Sequence, residues 1–269
     1  SYQPRDAWAN LADARKTARE AADQVAFREQ STPKPQAQVV IAVHAPDRPV
    51  RRAVESVLAD PAAGAIVVAH GVELALLDLP QSDRVLTTEF SEKIGSPGAA
   101  FNHGLSLVSA PLSGYEPGAI STMATRQSAD NADGVLAPLS YQGVGRELNP
   151  LTVRRRGLHA RRDRLFYRTA PLGLFRSELM QNPRYQMRPD VPVGGDHQPS
   201  LALWTDGLRI SHYPQDPAYV VGSDARERVT TKRRPLEQSL APLTDLVESG
   251  VVAGLTPGDR VSLISKQLR

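Results

Sequence analysis

The sequence contains no cysteine, few aromatic residues and no long apolar run. The absence of cysteine excludes disulfide bonds, thiolate metal sites and a cysteine nucleophile, and it is compatible with the cytosol. No apolar stretch approaches the roughly 20 residues that a helix needs to span a bilayer, and no signal-peptide pattern is evident. We therefore expect a soluble, cytoplasmic protein, with the inner face of the membrane as an alternative location.

The chain does contain enough apolar residues for a sizeable core. Hydrophobic residues make up 41% of its 269 residues, which argues against general disorder. A formal net charge of +3 favours anionic partners such as nucleotide diphosphates, phospholipid head groups or nucleic acid, without choosing among them. The 22 prolines and 19 glycines predict many short elements.

From residue 39 onward, apolar strand patterns alternate with amphipathic helix patterns. Three runs are typical of strands, the first two buried on both faces: "VVIAV" (39–43), "AIVVAHG" (65–71) and "DRVLTTEF" (83–90). Between the first two, residues 47–60 have helical spacing, with Asp47 as the predicted N-cap and Pro49 in the first turn. This β-α-β order predicts a parallel sheet with a right-handed crossover.

The other patterns predict further elements around this sheet. Helices are predicted at 4–29, 96–110 and 117–133, in a short segment ending at 180, from near Asp196 to Gly207, and twice after residue 229. Residues 134–141 are predicted to form one strand. We divide the chain into an N-terminal helix and linker (1–38), an α/β domain (39–228) and a C-terminal helical segment (229–269).

Four stretches, in this order, resemble family 2 glycosyltransferases of the GT-A fold. They are "VVIAVHAPDRPVRRAVESVLAD", "SPGAAFNHGL" with its Asn-x-Gly, "EPGAI", and "PVGGDHQPSLALWTDGLRI". The resemblance implies an α/β, GT-A-like fold with a mixed, mostly parallel sheet flanked by helices. It also implies inverting transfer of a sugar from a nucleotide-diphosphate donor to a hydroxyl of a glycan, lipid-linked or cell-envelope acceptor.

The resemblance also implies roles for individual residues. Asp196 is implied to be the general base that takes the proton of the acceptor hydroxyl, and a plain helix N-cap is the alternative. The candidate ligand-binding residues are Ala42, His44, Asp47, His70 and Asn102 for the nucleotide, and Arg226, Arg228 and Trp204 for the diphosphate or the acceptor. The carboxyl ends of parallel strands, where open sheets bind ligands, give the same expectation for His44, Asp47 and His70. A helix cap, a turn and the core are the alternatives for Asp47, His70 and Trp204.

The sequence departs from the family pattern at several positions. Ala69 and His70 stand where acidic residues are usual, Phe101 replaces an arginine, and Gly195 replaces the acidic residue before the base. The Asp pair that binds a divalent metal is also missing. It would lie between Ser113 and Gly114, so we hypothesise that the true polypeptide has a further segment there; loss of the site is the alternative.

The expected cofactor is Mn²⁺ or Mg²⁺, because a divalent ion would neutralise the charge of the leaving nucleoside diphosphate. His197 or His212 could complete its ligand shell. A lone histidine, however, is more often a surface or hydrogen-bonded residue than a ligand. The sequence therefore predicts a metal site whose carboxylates it does not contain.

An arginine cluster lies between residues 154 and 168: Arg154, Arg155, Arg156, Arg161, Arg162, Arg164 and Arg168. It could bind a phosphate-bearing acceptor or rest on an anionic membrane, or it could be a solvated loop. Nucleic acid is not an expected partner, because only Phe166 and Tyr167 are available for stacking. The alternative function is that of a catalytically inactive relative that binds a nucleotide or glycan as a partner protein.

Overall fold

The computed structural model describes residues 35–91, 97–107, 116–147, 152–191, 194–221 and 235–267. Residues Gln36–Arg269 form one compact unit, which includes the C-terminal helical segment. The predicted helix at 4–29 and the position between Ser113 and Gly114 lie outside the described residues. No helix in the described ranges is both long enough and apolar enough to cross a membrane.

The three predicted strand runs form a parallel sheet in the order β1-β2-β3. The strands are β1 (Ala37–Val43), β2 (Ala63–His70) and β3 (Val85–Phe90). β1 begins inside the predicted linker, because Ala37 already pairs with Ala63. β2 is buried along seven of its eight residues, as its unbroken apolar run predicts. Within the described part of the chain, β1 pairs with β2 alone.

Two helices cover this sheet, α1 (Val50–Leu58) and α2 (Pro97–Ser106). The predicted N-cap of α1 was wrong: Pro49 holds that position without a side-chain cap, and Asp47 is exposed in the preceding turn. Helix α2 packs on β1 and β2 through Gly104, where a Cβ atom would collide with the Val40 side chain. The glycine of the Asn-x-Gly motif therefore allows close helix–sheet packing.

Helix α3 (Ala119–Asp130) packs against β1 and also against a second, three-stranded sheet. The buried Asp60 carboxylate accepts a hydrogen bond from the Ser121 backbone N–H, 2.8 Å away, in the first turn of α3. This acceptor satisfies one of the N–H groups that a helix start leaves without a partner. The structure thereby ties α3 to the segment between α1 and β2.

The strand predicted at 134–141 was wrong in one respect, because the structure splits it in two. β4 (Gly134–Leu136) pairs with β7 (Gly173–Phe175) and β8 (Ile210–His212), whereas β5 (Leu139–Tyr141) pairs with β6 (Gly145–Arg146) and β9 (Tyr219–Val221). Pro138, between them, has no backbone N–H to donate to a ladder. The predicted mixed, mostly parallel pairing is present, but the described residues form three three-stranded sheets rather than one.

Four further α-helices lie in the described ranges: α4 (Ser177–Met180), α5 (His197–Thr205), α6 (Leu236–Glu248) and α7 (Pro257–Gln267). The last two confirm the predicted C-terminal pair. They contribute the buried side chains of Leu246 and Leu263 to the core. Because α6 packs on α5, the C-terminal segment borders the helix that begins after Asp196.

Candidate active site

Asp196 lies at the predicted start of its helix, but its side chain does not cap that helix. It occupies the N-cap position of α5, and its carboxylate makes no capping hydrogen bond. The N-cap alternative therefore describes where the residue lies, not what its side chain does. A carboxylate that is not used in capping remains available for chemistry.

Burial changes the acidity of this carboxyl group. Desolvation raises the pKa of Asp196 to about 6, while its own backbone N–H and the nearby Lys266 of α7 act in the opposite direction. A buried carboxyl group favours its neutral form because the charged form loses hydration. A pKa near 6 leaves Asp196 mostly ionised at neutral pH yet a stronger base than an ordinary aspartate, as general base catalysis requires.

Two glycines precede Asp196, and the structure requires each of them. Gly194 has a φ of +70°, and a Cβ atom there would lie 2.7 Å from the Pro242 side chain of α6. A Cβ atom on Gly195 would lie 2.6 Å from the backbone oxygen of Arg188. The loop is therefore confined between α6 on one side and the Arg188 backbone on the other.

Arg188 links this loop to two helices. Its backbone N–H donates to the Gly195 oxygen at 2.9 Å, and its guanidinium bonds Asp190 at 2.7 Å. The same guanidinium reaches Gln198 of α5 at 2.8 Å and Asp245 of α6 at 2.6 Å. Sequence reasoning missed Arg188, Asp245 and Lys266, since nothing in the local pattern distinguishes them from other surface charges.

The structure gives the side chain of Asn102 a protein partner. Its amide nitrogen donates to the Met187 oxygen at 2.7 Å, and its amide oxygen accepts from the Met187 backbone N–H at 2.9 Å. Its predicted contact with a nucleotide stays a prediction. What the structure describes is a pair of hydrogen bonds that joins α2 to the residue before Arg188.

The other predicted nucleotide-binding residues lie at the carboxyl edge of the first sheet. His44 follows β1 and lies 3.4 Å from an Arg48 nitrogen, while Asp47 is exposed in the turn beyond it. His70 is the last residue of β2, and its ring lies 5.6 Å from that of Phe90. Ala42 is half-buried within β1. The edge where open sheets bind ligands therefore carries exposed polar groups.

Trp204 lies in the core, which was its alternative interpretation. It is 6% exposed, and its indole N–H donates to the Arg168 oxygen at 3.0 Å. It lines a small pocket together with His197, Leu246 and Leu263. The C-terminal helices therefore contribute Leu246 and Leu263 to a mostly apolar pocket beside α5.

The two histidines predicted as metal ligands do not form a metal site in the described residues. His212 is 3% exposed and donates from Nδ1 to the Leu136 oxygen at 3.1 Å. The Nδ1 atom of His197 is buried without a hydrogen-bond partner. No cluster of three His, Asp or Glu side chains suited to a metal occurs in the described ranges. The donor set present there does not fit a divalent ion.

We expect His212 to make the protein less stable in acid. Burial lowers its pKa to about 4, from about 6.5 in an unfolded chain, so its contribution to stability is complete above pH 6.5 and is lost as pH falls toward 4. The loss is on the order of 2 kcal/mol. In urea unfolding at pH 7 and pH 4.5, His212→Asn should show a smaller decline than the wild type.

The exposed His159→Asn variant is the control for this measurement. Burial also lowers the pKa of His197 to about 4, so His197 likewise makes the protein less stable in acid. The raised pKa of Asp196 has the opposite effect on stability. Both remain in each variant, so the difference between wild type and His212→Asn isolates His212. An equal decline in both proteins would contradict a buried, neutral His212.

The arginine cluster divides into paired, buried and exposed members. Arg156 bonds the buried Asp130 at 2.8 Å, and Arg168 is 2% exposed with its guanidinium donating to the Ala137 oxygen at 3.1 Å. The remaining arginines, including Arg162 and Arg164, are exposed. Arg226 and Arg228, predicted to contact the diphosphate, lie outside the described residues.

Together these elements have the GT-A-like fold of glycosyltransferases, which confirms the predicted fold class. The chain matches S. aureus TarS 1–349 in complex with UDP-GlcNAc with a TM-score of 0.63 at 9% identity, over 86% of this chain and 79% of that one. The same fragment in complex with UDP gives 0.56 at 10% identity, over 86% and 78%. A longer TarS structure gives 0.58 at 11% identity, and only 48% of its length is covered.

The comparison supports the resemblance to glycosyltransferases at the level of the fold. Identities of 9–11% establish a shared fold and nothing finer. No protein-family model matches the sequence, and no curated protein matches it. Activity must therefore be argued from the residues of this chain.

Proposed function

We propose that this protein is a nucleotide-sugar-dependent glycosyltransferase that works with inversion. The observation that carries the proposal is the fold shared with TarS, which was solved with UDP-GlcNAc, over 86% of this chain. The donor is a nucleoside diphosphate sugar, and the acceptor is a hydroxyl of a glycan or a lipid-linked precursor. Asp196 is half-buried beside α5, and desolvation raises its pKa to about 6, which supports the assignment of a general base.

In this proposal, Asp196 takes the proton from the acceptor hydroxyl as its oxygen attacks the anomeric carbon. The new carbon–oxygen bond forms on the face opposite the nucleotide, and the bond between that carbon and the diphosphate oxygen breaks. The nucleoside diphosphate leaves with the electron pair, and the proton resides on the Asp196 carboxylate. A base held in place for this transfer contributes about 10²- to 10⁴-fold to the rate.

The remaining roles are proposed residue by residue. His44, Asp47 and His70 are proposed to contact the base and ribose, because they lie at the carboxyl edge of the first sheet. Arg226 and Arg228 are proposed to neutralise the diphosphate. The exposed arginines near Arg162 are proposed to contact a phosphate-bearing acceptor or an anionic membrane surface.

Metal dependence is proposed only together with the missing segment. A divalent ion would supply charge neutralisation at the diphosphate, but the described residues do not fit one, and we assign it no step. If an acidic segment exists between Ser113 and Gly114, the intact mass must exceed 29.2 kDa by the mass of several residues. A mass equal to that calculated from the sequence would contradict this hypothesis.

A catalytically inactive relative remains the second candidate. Gly195 and Ala69 stand where the resemblance expects acidic residues, and the metal-binding pair is absent from the sequence. Such a protein would bind a nucleotide or a glycan without turning it over. Binding and turnover therefore need to be measured on the same preparation.

The test is release of nucleoside diphosphate from a panel of UDP- and GDP-sugars, including UDP-GlcNAc, with water as the acceptor. We expect one donor to be hydrolysed above the rate without protein. A donor that binds without being hydrolysed would favour the inactive relative. If folded protein neither binds nor hydrolyses any donor, the glycosyltransferase and the nucleotide-binding form of the inactive relative are both wrong.

A further inference from the structure

We propose that Asn102 is a positioning residue that holds the loop carrying Asp196 against helix α2. This inference rests on the proposed function, in which Asp196 is the base. Asn102 would act through the protein backbone and not through the substrate. The resemblance, by contrast, assigns Asn102 to the nucleotide.

The contact is a two-way pair of hydrogen bonds between residues 85 positions apart in the chain. The amide of Asn102 donates to and accepts from the backbone of Met187, at 2.7 and 2.9 Å. Asparagine and glutamine are the side chains that carry an uncharged donor and an acceptor side by side, so they can both donate to and accept from the backbone of one residue. The pair therefore fixes the position and the orientation of the Met187 backbone.

The next residue transmits this position to the base. A Cβ atom on Gly98 of α2 would lie 2.7 Å from the Arg188 backbone oxygen, and a Cβ atom on Gly195 would lie 2.6 Å from the same oxygen. Both glycines thus approach the same carbonyl group closely. Because Gly195 directly precedes Asp196, the Arg188 backbone lies between α2 and the base.

The side chain of Arg188 is also fixed. The Arg188 guanidinium is held by Asp190, Gln198 and Asp245, so the segment cannot move away from α5 and α6 without losing charge-assisted bonds. Helix α2 rests on β1 and β2, whose carboxyl ends carry the proposed nucleotide contacts. Asn102 therefore sets the distance between Asp196 and the donor edge of the sheet.

The experiment compares wild type with Asn102→Ala and, as the control, Asn182→Ala. Asn182 also bonds loop backbone, but only the Arg184 N–H two residues away. Three quantities are measured: amide hydrogen exchange in residues 186–198, the Kd for UDP by titration, and kcat and KM for donor hydrolysis. Asn102→Asp, which keeps the size and one of the two bonds, replaces Asn102→Ala if that variant does not fold.

We expect Asn102→Ala to exchange faster in residues 186–198 and to lose roughly 10- to 100-fold in kcat, with a Kd for UDP within about twofold of wild type. Weaker UDP binding at unchanged kcat would show a nucleotide contact and overturn the proposal. Amide hydrogen exchange in residues 186–198 that is unchanged in Asn102→Ala would also overturn it. A wild type that hydrolyses no donor would refute the proposed function, while the exchange result would still report on the Asn102 contact.

Discussion

Asp196→Asn is expected to reduce donor hydrolysis by about 10²- to 10⁴-fold, since the amide cannot accept the proton of the attacking hydroxyl. Donor binding should be unchanged, because the carboxylate is proposed to act on the acceptor. Asp83→Asn is the matched control, as Asp83 is exposed in a turn outside the site. A variant of Asp196 that keeps full activity would remove the base from the proposed mechanism.

The pH dependence of the same reaction provides a second test of Asp196 as the general base. Only the ionised carboxylate can act as the base, so the rate should rise with pH and reach half its plateau near pH 6. Lys266 lowers the pKa of Asp196, and Lys266→Met should therefore shift the profile to higher pH. A profile that does not change between pH 5 and pH 8 would contradict this assignment.

Stability should change in the opposite direction to activity. The raised pKa means that ionised Asp196 costs stability, and this cost appears as pH rises from about 4 to about 6. Asparagine resembles the neutral carboxyl group, so Asp196→Asn should be more stable than wild type by about 1–3 kcal/mol at pH 7.5 and equally stable near pH 3.5. Thermal unfolding at the two pH values measures this difference. Equal stability at pH 7.5 would argue against a buried carboxylate.

Gly195→Ala is expected to lower kcat by about 10²-fold, because a displacement of roughly 1 Å at a catalytic group can cost that much. The new Cβ atom would lie 2.6 Å from the Arg188 oxygen, and the three side chains that hold Arg188 oppose its retreat. The loop must yield instead, and Asp196 moves with it. Donor hydrolysis and the Kd for UDP measure the effect.

Gly195→Glu distinguishes a packing requirement from a lost acidic residue. It introduces the residue type that the resemblance expects, yet the same collision predicts at least as large a loss as for alanine. The control is Gly254→Ala, whose Cβ atom would lie 3.5 Å from the Val251 oxygen, an ordinary contact. A Gly195→Glu variant more active than wild type would mean that this chain has lost part of a catalytic site.

The sequence was most informative where structure is local. The β-branched runs at 39–43 and 65–71 predicted β1 and β2, since unbroken apolar runs are typical of strands buried on both faces. The glycines before Asp196 predicted where α5 begins. The break at Pro138 was also visible, but the apolar residues around it favoured a single strand. Local pattern and turn chemistry therefore account for most of the fold.

The connections of the candidate site were not predictable in the same way. The bond between Asn102 and Met187, and that between Arg188 and Asp245, join residues that are far apart in sequence. Such contacts depend on how helices and loops meet in space, and single-sequence patterns carry no record of that. The Asn-x-Gly motif shows the difference: its residues were noticed, but the packing of Gly104 on Val40 became visible only in the structure.

Calorimetric titration with UDP-GlcNAc, UDP and GDP, each with and without Mn²⁺, measures whether this protein binds the donor or its nucleotide. Protein of verified intact mass should be used. We predict saturable binding of at least one nucleotide ligand, and a requirement for Mn²⁺ would support an acidic segment between Ser113 and Gly114. If folded protein binds none of these ligands under either condition, the assignment to nucleotide-sugar chemistry is contradicted.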